Sequence, residues 1–317
     1  MIASLTRSII LLQLLTLAGL AALAVHLQWF AWPVALLAAA ALLLLIRASI
    51  IFNNYVLSGA LRQPMQDGRH APKLRLLARI IQEFWCSMLC WFRLFPFARP
   101  FRIHHGKDAL PPVLMLHGYG ANSGFWLPFS ALLDKEGISH AAIDLEPVLA
   151  DIDDYARLID AEVNALLQST SAAQVILLCH SMGGLAARAW IRSHGAGRVA
   201  RVITLGTPHA GSLLASYGMG QNARQMQHQS GQPSAWLQQL AASESEASRA
   251  LFVSIVTRHD NIVAPQSSPI LPGATNVIVD LVGHVALGFD HAIQQLALDH
   301  IRTARGAGQA FRDASEL

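Results

Sequence analysis

Hydrophobic and polar positions follow three successive patterns along this chain. From Ser8 to about Leu27 the residues form an uncharged apolar run. A second run covers Val34 to Ile46 and resumes past Arg47 as Ile50-Ile51-Phe52. A helix that crosses a bilayer needs about 20 mostly apolar residues. Between the runs, Gln28-Trp29-Phe30-Ala31-Trp32-Pro33 reads as an interfacial turn, with tryptophans at headgroup depth and a proline that starts the second helix. Residues 1–52 are therefore expected to form a transmembrane helical hairpin, with Arg47 snorkelling to the interface.

The second pattern is amphipathic. Residues 53–70 read as a polar linker, and Pro72 to Phe101 alternates basic and apolar positions before turning aromatic at Phe84, Trp85, Trp91, Phe92, Phe95, Phe97 and Phe101. Such a segment either packs on a following domain or lies along lipid, with Arg75 and Arg79 at the headgroups. Aromatic residues beside basic ones favour lipid. Cys86 and Cys90 lie one helical turn apart, but no His or Asp at metal-ligand spacing accompanies them, so they are assigned to packing.

From Pro111 short apolar runs of strand length alternate with helical periodicity. The runs are Val113–Leu116, Ala141–Asp144, Val175–Cys179, Val199–Leu205, Leu251–Thr257 and Asn276–Val279. Between them, Ile152, Tyr155, Ala156, Ile159, Val163, Leu166 and Leu167 recur at helical spacing, as do Ile293, Leu296, Ala297, Ile301 and Ala304. Fully apolar strands alternating with helices predict an α/β fold with a doubly wound, mostly parallel sheet over 108–305. Residues 213–249 interrupt the alternation and are expected to form a short mobile cap. A tail at 306–317 follows.

Composition sharpens the first two patterns. Of the 317 residues 53% are hydrophobic and only 14% charged, against about 25% charged in soluble domains. Disorder and a disulfide-stapled mini-domain are excluded. Residues 1–107 hold 11 Lys/Arg and 2 Asp/Glu, a balance of +9, and residues 108–317 hold 12 and 18, a balance of −6. Basic residues that flank apolar runs point to anionic lipid rather than nucleic acid. Arg7, Arg47, Arg62, Arg69, Lys73, Arg75 and Arg79 put both ends of the hairpin, and the bulk of the chain, on the cytoplasmic side of what would be a bacterial inner membrane. Arg7, the first run and Ala22-Leu23-Ala24 also fit a signal peptide, but a second apolar segment follows almost at once.

In doubly wound sheets ligands bind at the carboxyl ends of strands. Five successive strand ends here carry polar residues and glycines: His117-Gly118-Tyr119-Gly120, Cys179-His180-Ser181-Met182-Gly183-Gly184, Gly206-Thr207-Pro208-His209, Arg258-His259-Asp260-Asn261 and Asp280 to Val285. A serine on a sharp strand-to-helix turn projects its hydroxyl above the sheet at the positive end of the helix. A hydroxyl is a weak nucleophile and needs a base and an orienting acid. Ser181, Asp260 and His284 meet the order Ser, acid, His; Asp280 and Asp290 are the rival acids.

These motifs resemble the bacterial lipases and esterases of the α/β-hydrolase fold, over residues 108–305. The resemblance rests on Leu116–Gly120, Leu145–Val148, His180–Gly184, Leu205–Ser212 and Gly283–Leu287. It implies a Ser181–Asp260–His284 triad and an oxyanion hole from the N–H groups of Tyr119 and Met182. His117, Gly118, Gly120, His180 and Gly183 would support the motifs, and His209 would shape the pocket. Cys179 stands where the family's elbow usually has glycine. No metal motif or phosphate loop is present, so neither metal nor cofactor is expected. The implied activity is hydrolysis of a lipidic or apolar ester. Thioesterase, acyltransferase or polyester depolymerase chemistry with the same residues, or a non-catalytic membrane scaffold, are the alternatives.

Overall fold

A computed structural model describes residues 1–61, 72–106, 110–229 and 231–304. Arg62, Arg69 and the tail at 306–317 lie outside the described residues. The body is a seven-stranded sheet with strands β1 (Phe101–Ile103), β2 (Val113–Leu116), β3 (His140–Ile143), β4 (Val175–His180), β5 (Val199–Leu205), β8 (Phe252–Thr257) and β9 (Thr275–Val279), in the order β1-β3-β2-β4-β5-β8-β9. Every pairing is parallel except β1 with β3. The doubly wound, mostly parallel sheet expected from the pattern is therefore present. It is one strand wider than expected, because the three-residue β1 is too short to show a period.

Helices α4 (Leu127–Lys135), α5 (Ala156–Thr170), α6 (Met182–His194) and α10 (His291–Arg302) cover the sheet. The sheet separates two core layers. Along β4, Val175, Leu177 and Cys179 enter one layer and Ile176 and Leu178 the other, the two-residue period of a strand buried on both faces. The segment 213–249 contains a 3-10 turn (Leu213–Tyr217), α7 (Gln221–Gln225), a hairpin of β6 (His228–Gln229) with β7 (Gln232–Pro233), α8 (Ala235–Ala242) and α9 (Glu246–Arg249).

The N-terminal third forms α1 (Ile2–His26) and α2 (Trp32–Gly59), two antiparallel helices long and apolar enough to cross a membrane. The turn between them exposes Trp29 and Phe30, and Pro33 opens α2. Both helices are rooted in the body. Ile2 belongs to the same core layer as Phe129 and Leu178, and Arg7 Nη1 donates to the Pro96 carbonyl at 2.8 Å.

Two expectations change here. The helix does not give way to a linker at residue 53; it runs on to Gly59, where Gln266 Nε2 donates to the Ser58 carbonyl at 3.0 Å. Arg47 does not snorkel freely. Its guanidinium stacks 4.8 Å from the Trp91 ring centre and 5.6 Å from that of Phe92, and Nη2 reaches Gln13 Oε1 at 3.3 Å. Isolated apolar runs cannot reveal a partner that lies some 44 residues on.

Helix α3 (Lys73–Leu89), followed by a π-helical turn (Cys90–Leu94), reconciles the two readings of the amphipathic segment. Glu83 and Met88 face the body, while Leu74, Leu77, Ile81, Trp85 and Leu89 form one exposed apolar stripe. Arg75 is exposed, but Arg79 turns to the body and pairs with Asp290 Oδ2 at 3.4 Å.

Candidate active site

β4 ends at His180 and α6 begins at Met182, so the chain reverses at the single residue Ser181. Ser181 takes φ 53 and ψ −126, a conformation a side chain rarely adopts. Its neighbours must be small. A Cβ at Gly183 would meet the Leu116 carbonyl oxygen at 2.3 Å, and one at Gly118 would meet Ser181 Cβ at 2.8 Å. Cys179 points into the core layer that holds Leu116, Met182 and Leu185, and burial pushes its thiol far above the ordinary range.

His284 and Asp260 come together from the ends of β9 and β8. His284 Nδ1 lies 2.8 Å from Asp260 Oδ2, both side chains buried. The other carboxylate oxygen accepts the Ile262 and Val263 N–H groups at 2.8 and 2.7 Å, which fixes the carboxylate plane. Gly206 ends β5 at φ 59, and a Cβ there would sit 2.8 Å from Leu287 Cδ1 and 3.2 Å from both Asp260 Oδ2 and His284 Nδ1. The glycine makes room for the pair. The rival acids are engaged elsewhere. Asp280 is 3.8 Å from His259 Nδ1, and Asp290 caps α10 through the Ala292 N–H.

Burial alone would push the His284 imidazole down, but the Asp260 carboxylate, through charge and hydrogen bond, and the charge of Glu83 outweigh it and hold it above its ordinary value. Glu83, from α3, is the residue the sequence reading missed. Its carboxylate is buried and accepts the N–H groups of Val285 and Ala286 at 2.9 and 2.8 Å, the two residues that follow the histidine. Burial raises its carboxyl above the usual range, and the two N–H groups partly counter that. The available signal was a single acid in an otherwise basic amphipathic segment.

The motif histidines hold the loops. His117 Nδ1 donates to the Gly118 carbonyl at 2.8 Å and Nε2 accepts the Leu145 N–H at 2.9 Å, joining the ends of β2 and β3. His180 Nε2 donates to the His284 carbonyl at 3.0 Å while its ring stacks 4.3 Å from Phe125. Burial holds both rings well toward the neutral form. His209 does not shape the pocket as expected: its ring lies against Arg188 and Thr204, and Pro208 lines the cavity instead. Gly118 and Ala121 close a tight turn, N–H to carbonyl at 3.3 Å, with Tyr119 and Gly120 at its tip and Gly120 at φ 65. Met182, first residue of α6, has an N–H with no intrahelical acceptor.

Two cavities meet at Ser181. The cap-side arm, about 580 Å³, is lined by Leu57, Leu214, Ala215, Tyr217, Met226 and Val263, among others. The helix-side arm, about 460 Å³, runs from His284 and Asn261 past Ile51 and Trp91 to Arg47. Asn54, Tyr119 and Ser181 border both. Only part of segment 213–249 covers the serine. Its later half packs on the body, where the buried Arg188 pairs with Glu244 at 2.6 Å. The covering half is pinned by Asn222, whose Nδ2 donates to the Val148 carbonyl at 2.7 Å, and by Gln225, whose Oε1 accepts the Ile152 N–H at 2.9 Å. The Tyr119 hydroxyl ties the exposed tip, donating to the Met219 carbonyl at 2.8 Å. The segment expected to form a cap thus reaches over the serine with its first half and packs on the body with its second.

Residues 113–308 match the Alpha/beta hydrolase family. Triacylglycerol lipases of Pseudarthrobacter phenanthrenivorans and Burkholderia plantarii are each 31% identical to the chain over 114 residues, 33% of this chain and 35% and 32% of theirs. The chain thus spans about a third of the length of these curated relatives. A mature Bacillus licheniformis lipase superposes with a TM-score of 0.53 at 22% identity, over 64% of this chain and 98% of its own. Aspergillus fumigatus lipase B gives a TM-score of 0.56 at 17% identity, over 64% of this chain and 55% of its own. At these identities the likeness is one of fold.

Proposed function

This chain belongs to the alpha/beta hydrolase family, and from that premise we propose that it is a membrane-held serine hydrolase of apolar or lipidic carboxylic esters. The observation that carries this reading is the buried His284–Asp260 pair at 2.8 Å, whose histidine lines the same cavity as a serine on a strained turn. Ser181 Oγ attacks the ester carbonyl carbon as His284 Nε2 takes its proton. Asp260 holds the imidazole by Nδ1 and stabilises the imidazolium. The negative charge that develops on the carbonyl oxygen faces the N–H groups of Tyr119 and Met182, an arrangement that commonly supplies the largest catalytic term. The tetrahedral species collapses, and His284 gives its proton to the departing alcohol oxygen. Water, deprotonated by the same imidazole, then cleaves the acyl-serine and releases the acid.

The apolar walls of both arms support an apolar substrate, as do the lipase relatives. The outward-facing leucines of α1 and α2 and the exposed stripe of α3 support a hairpin that spans a membrane, with α3 lying along the same surface. Basic residues at the root of the hairpin put the catalytic body on the cytoplasmic side.

A panel of esters and thioesters assayed with wild type and Ser181→Ala tests the chemistry. Turnover should fall by several powers of ten in the variant, together with fluorophosphonate labelling; full labelling of Ser181→Ala would remove the nucleophile from the reading. Preference for thioesters in the panel would replace ester by thioester hydrolysis. For topology, a C-terminal alkaline phosphatase fusion should be inactive and a fluorescent-protein fusion bright. The reverse pattern would mean that one apolar helix does not span.

A further inference from the structure

The helix-side arm ends at a cation that the reaction above does not use. Ile50, Ile51, Asn54 and Arg47 all line it, and their spacing puts them on one face of α2. At 1.5 Å per residue, Arg47 stands about 10 Å along the helix from Asn54, which borders Ser181. Arg47 also closes the clean apolar run of α2, on the side where the hairpin of the proposed reading leaves the bilayer.

The Arg47 guanidinium lies over the Trp91 and Phe92 rings, a cation–π contact that uses none of its N–H donors on an oxygen. Of the five N–H donors a guanidinium carries, Arg47 uses Nη2 on the neutral amide of Gln13. Among the described residues no carboxylate forms an ion pair with it. An ionisable side chain within a membrane segment is costly and is kept where it meets a specific partner. Packing against Trp91 and Phe92 alone would be served by an uncharged side chain.

The chemistry decides which half of a substrate lies in this arm. His284 must reach the oxygen of the departing alcohol, and His284 lines the helix-side arm and not the cap-side one. The acyl chain therefore takes the cap-side arm, and the alcohol portion points along α2 toward Arg47. At headgroup depth the anion a bilayer presents is the lipid phosphate, and a planar guanidinium suits a phosphate's oxygens.

We propose that Arg47 is a phosphate-recognition site in the leaving-group arm, so that the preferred esters are acyl esters of a phosphate-bearing glycerolipid rather than of a neutral glyceride. This rests on the serine-hydrolase reading and names its substrate class. Neither α2 nor Arg47 lies within the residues that match the family.

The test compares phosphatidylglycerol with diacylglycerol carrying the same acyl chains, presented to the full-length chain in mixed micelles. Wild type should favour the phospholipid in kcat/KM. Arg47→Gln should lower the phospholipid-to-diacylglycerol ratio by about tenfold, the scale of losing one charge-assisted contact, mainly through KM, and Arg47→Lys should recover part of it. A wild type that favours the neutral lipid overturns the proposal whether or not the variants fold. So does an equal loss on both lipids in Arg47→Gln, which would make the stack a purely structural clamp. Ser181→Ala, run alongside, separates the two levels: turnover that persists in it sinks the hydrolase reading, whereas its loss with an unchanged ratio in Arg47→Gln sinks only the phosphate site.

Discussion

In the sheet-bearing body, apolar side chains face inward and the polar residues at strand ends meet partners a few ångströms away. In α1, α2 and α3 the arrangement inverts. Leu11, Leu12, Leu15, Leu37, Leu45 and Leu74 face outward, and the polar side chains Glu83 and Arg47 turn inward to the catalytic cleft. The apolar side chains of the N-terminal third thus lie on its outer surface, as the proposed membrane hairpin requires. Yet the two regions share one site. Asn54 and Leu57 wall the cap-side arm, Ile51 and Trp91 the helix-side arm, and Glu83 holds the loop that carries His284. The N-terminal third is a component of the cleft as well as the proposed anchor.

The largest test of this division lies wholly within the body. Asp260→Asn presents an amide to His284 Nδ1 and removes the charge that favours the imidazolium. A loss of kcat of about ten-thousandfold is the scale on which a triad loses its orienting carboxylate. Asp280→Asn should stay within a few-fold, because Asp280 is partly exposed and faces His259 rather than His284. If Asp280→Asn were the more damaging change, the acid would be misassigned despite the 2.8 Å contact.

The next test crosses the boundary between the regions. Glu83→Gln keeps one carbonyl oxygen for the loop but sets an NH2 group against a buried N–H, an unmet donor costing about 1–3 kcal/mol. A fall in kcat of about tenfold is expected, with KM little changed. The pH profile carries the sharper signal. His284 acts as a base only when neutral, so activity falls as pH drops through its pKa. The Glu83 charge helps to hold that pKa up, so removing the charge should move the acid limb of kcat/KM to lower pH. A lower kcat without that displacement would make Glu83 a packing residue, and no change in either would cut α3 out of the site.

The same boundary separates what was legible in the sequence from what was not. Strands β2 and β5 have the predicted limits, and Ser181, Asp260 and His284 stand at the predicted strand ends, because a parallel sheet forces local pattern and site position to coincide. Gly206 was quoted within a motif but its purpose was hidden, since only the folded chain brings β5 against the Asp–His pair. His209 reads as a pocket residue from its motif, yet its ring turns to Arg188 and Thr204. The termination of α2 was misplaced because Asn53, Asn54 and Ser58 look like linker residues. Asn53 and Asn54 instead line the cavity at Ser181, and the Ser58 backbone carbonyl accepts from Gln266. Contacts over two hundred residues, such as Glu83 to Ala286, leave no period to read.

The smallest expected effect concerns the one departure inside the best motif. Cys179 lies two residues before Ser181, opposite in the elbow to Gly183, and the two positions differ physically. A Cβ at Gly183 would strike the Leu116 carbonyl at 2.3 Å, an immovable backbone atom, whereas the Cys179 side chain enters the core among Leu116, Met182 and Leu185. A compact hydrophobe fits there, and burial keeps its thiol from ionising. Cys179→Ala and Cys179→Gly should therefore keep turnover within a few-fold, with a small drop in melting temperature. Cys179→Leu should overfill the layer at about 1–3 kcal/mol and displace the serine, lowering stability and turnover together. Loss of acyl transfer in Cys179→Ala at an unchanged melting temperature would overturn this account and bring the thiol into the chemistry.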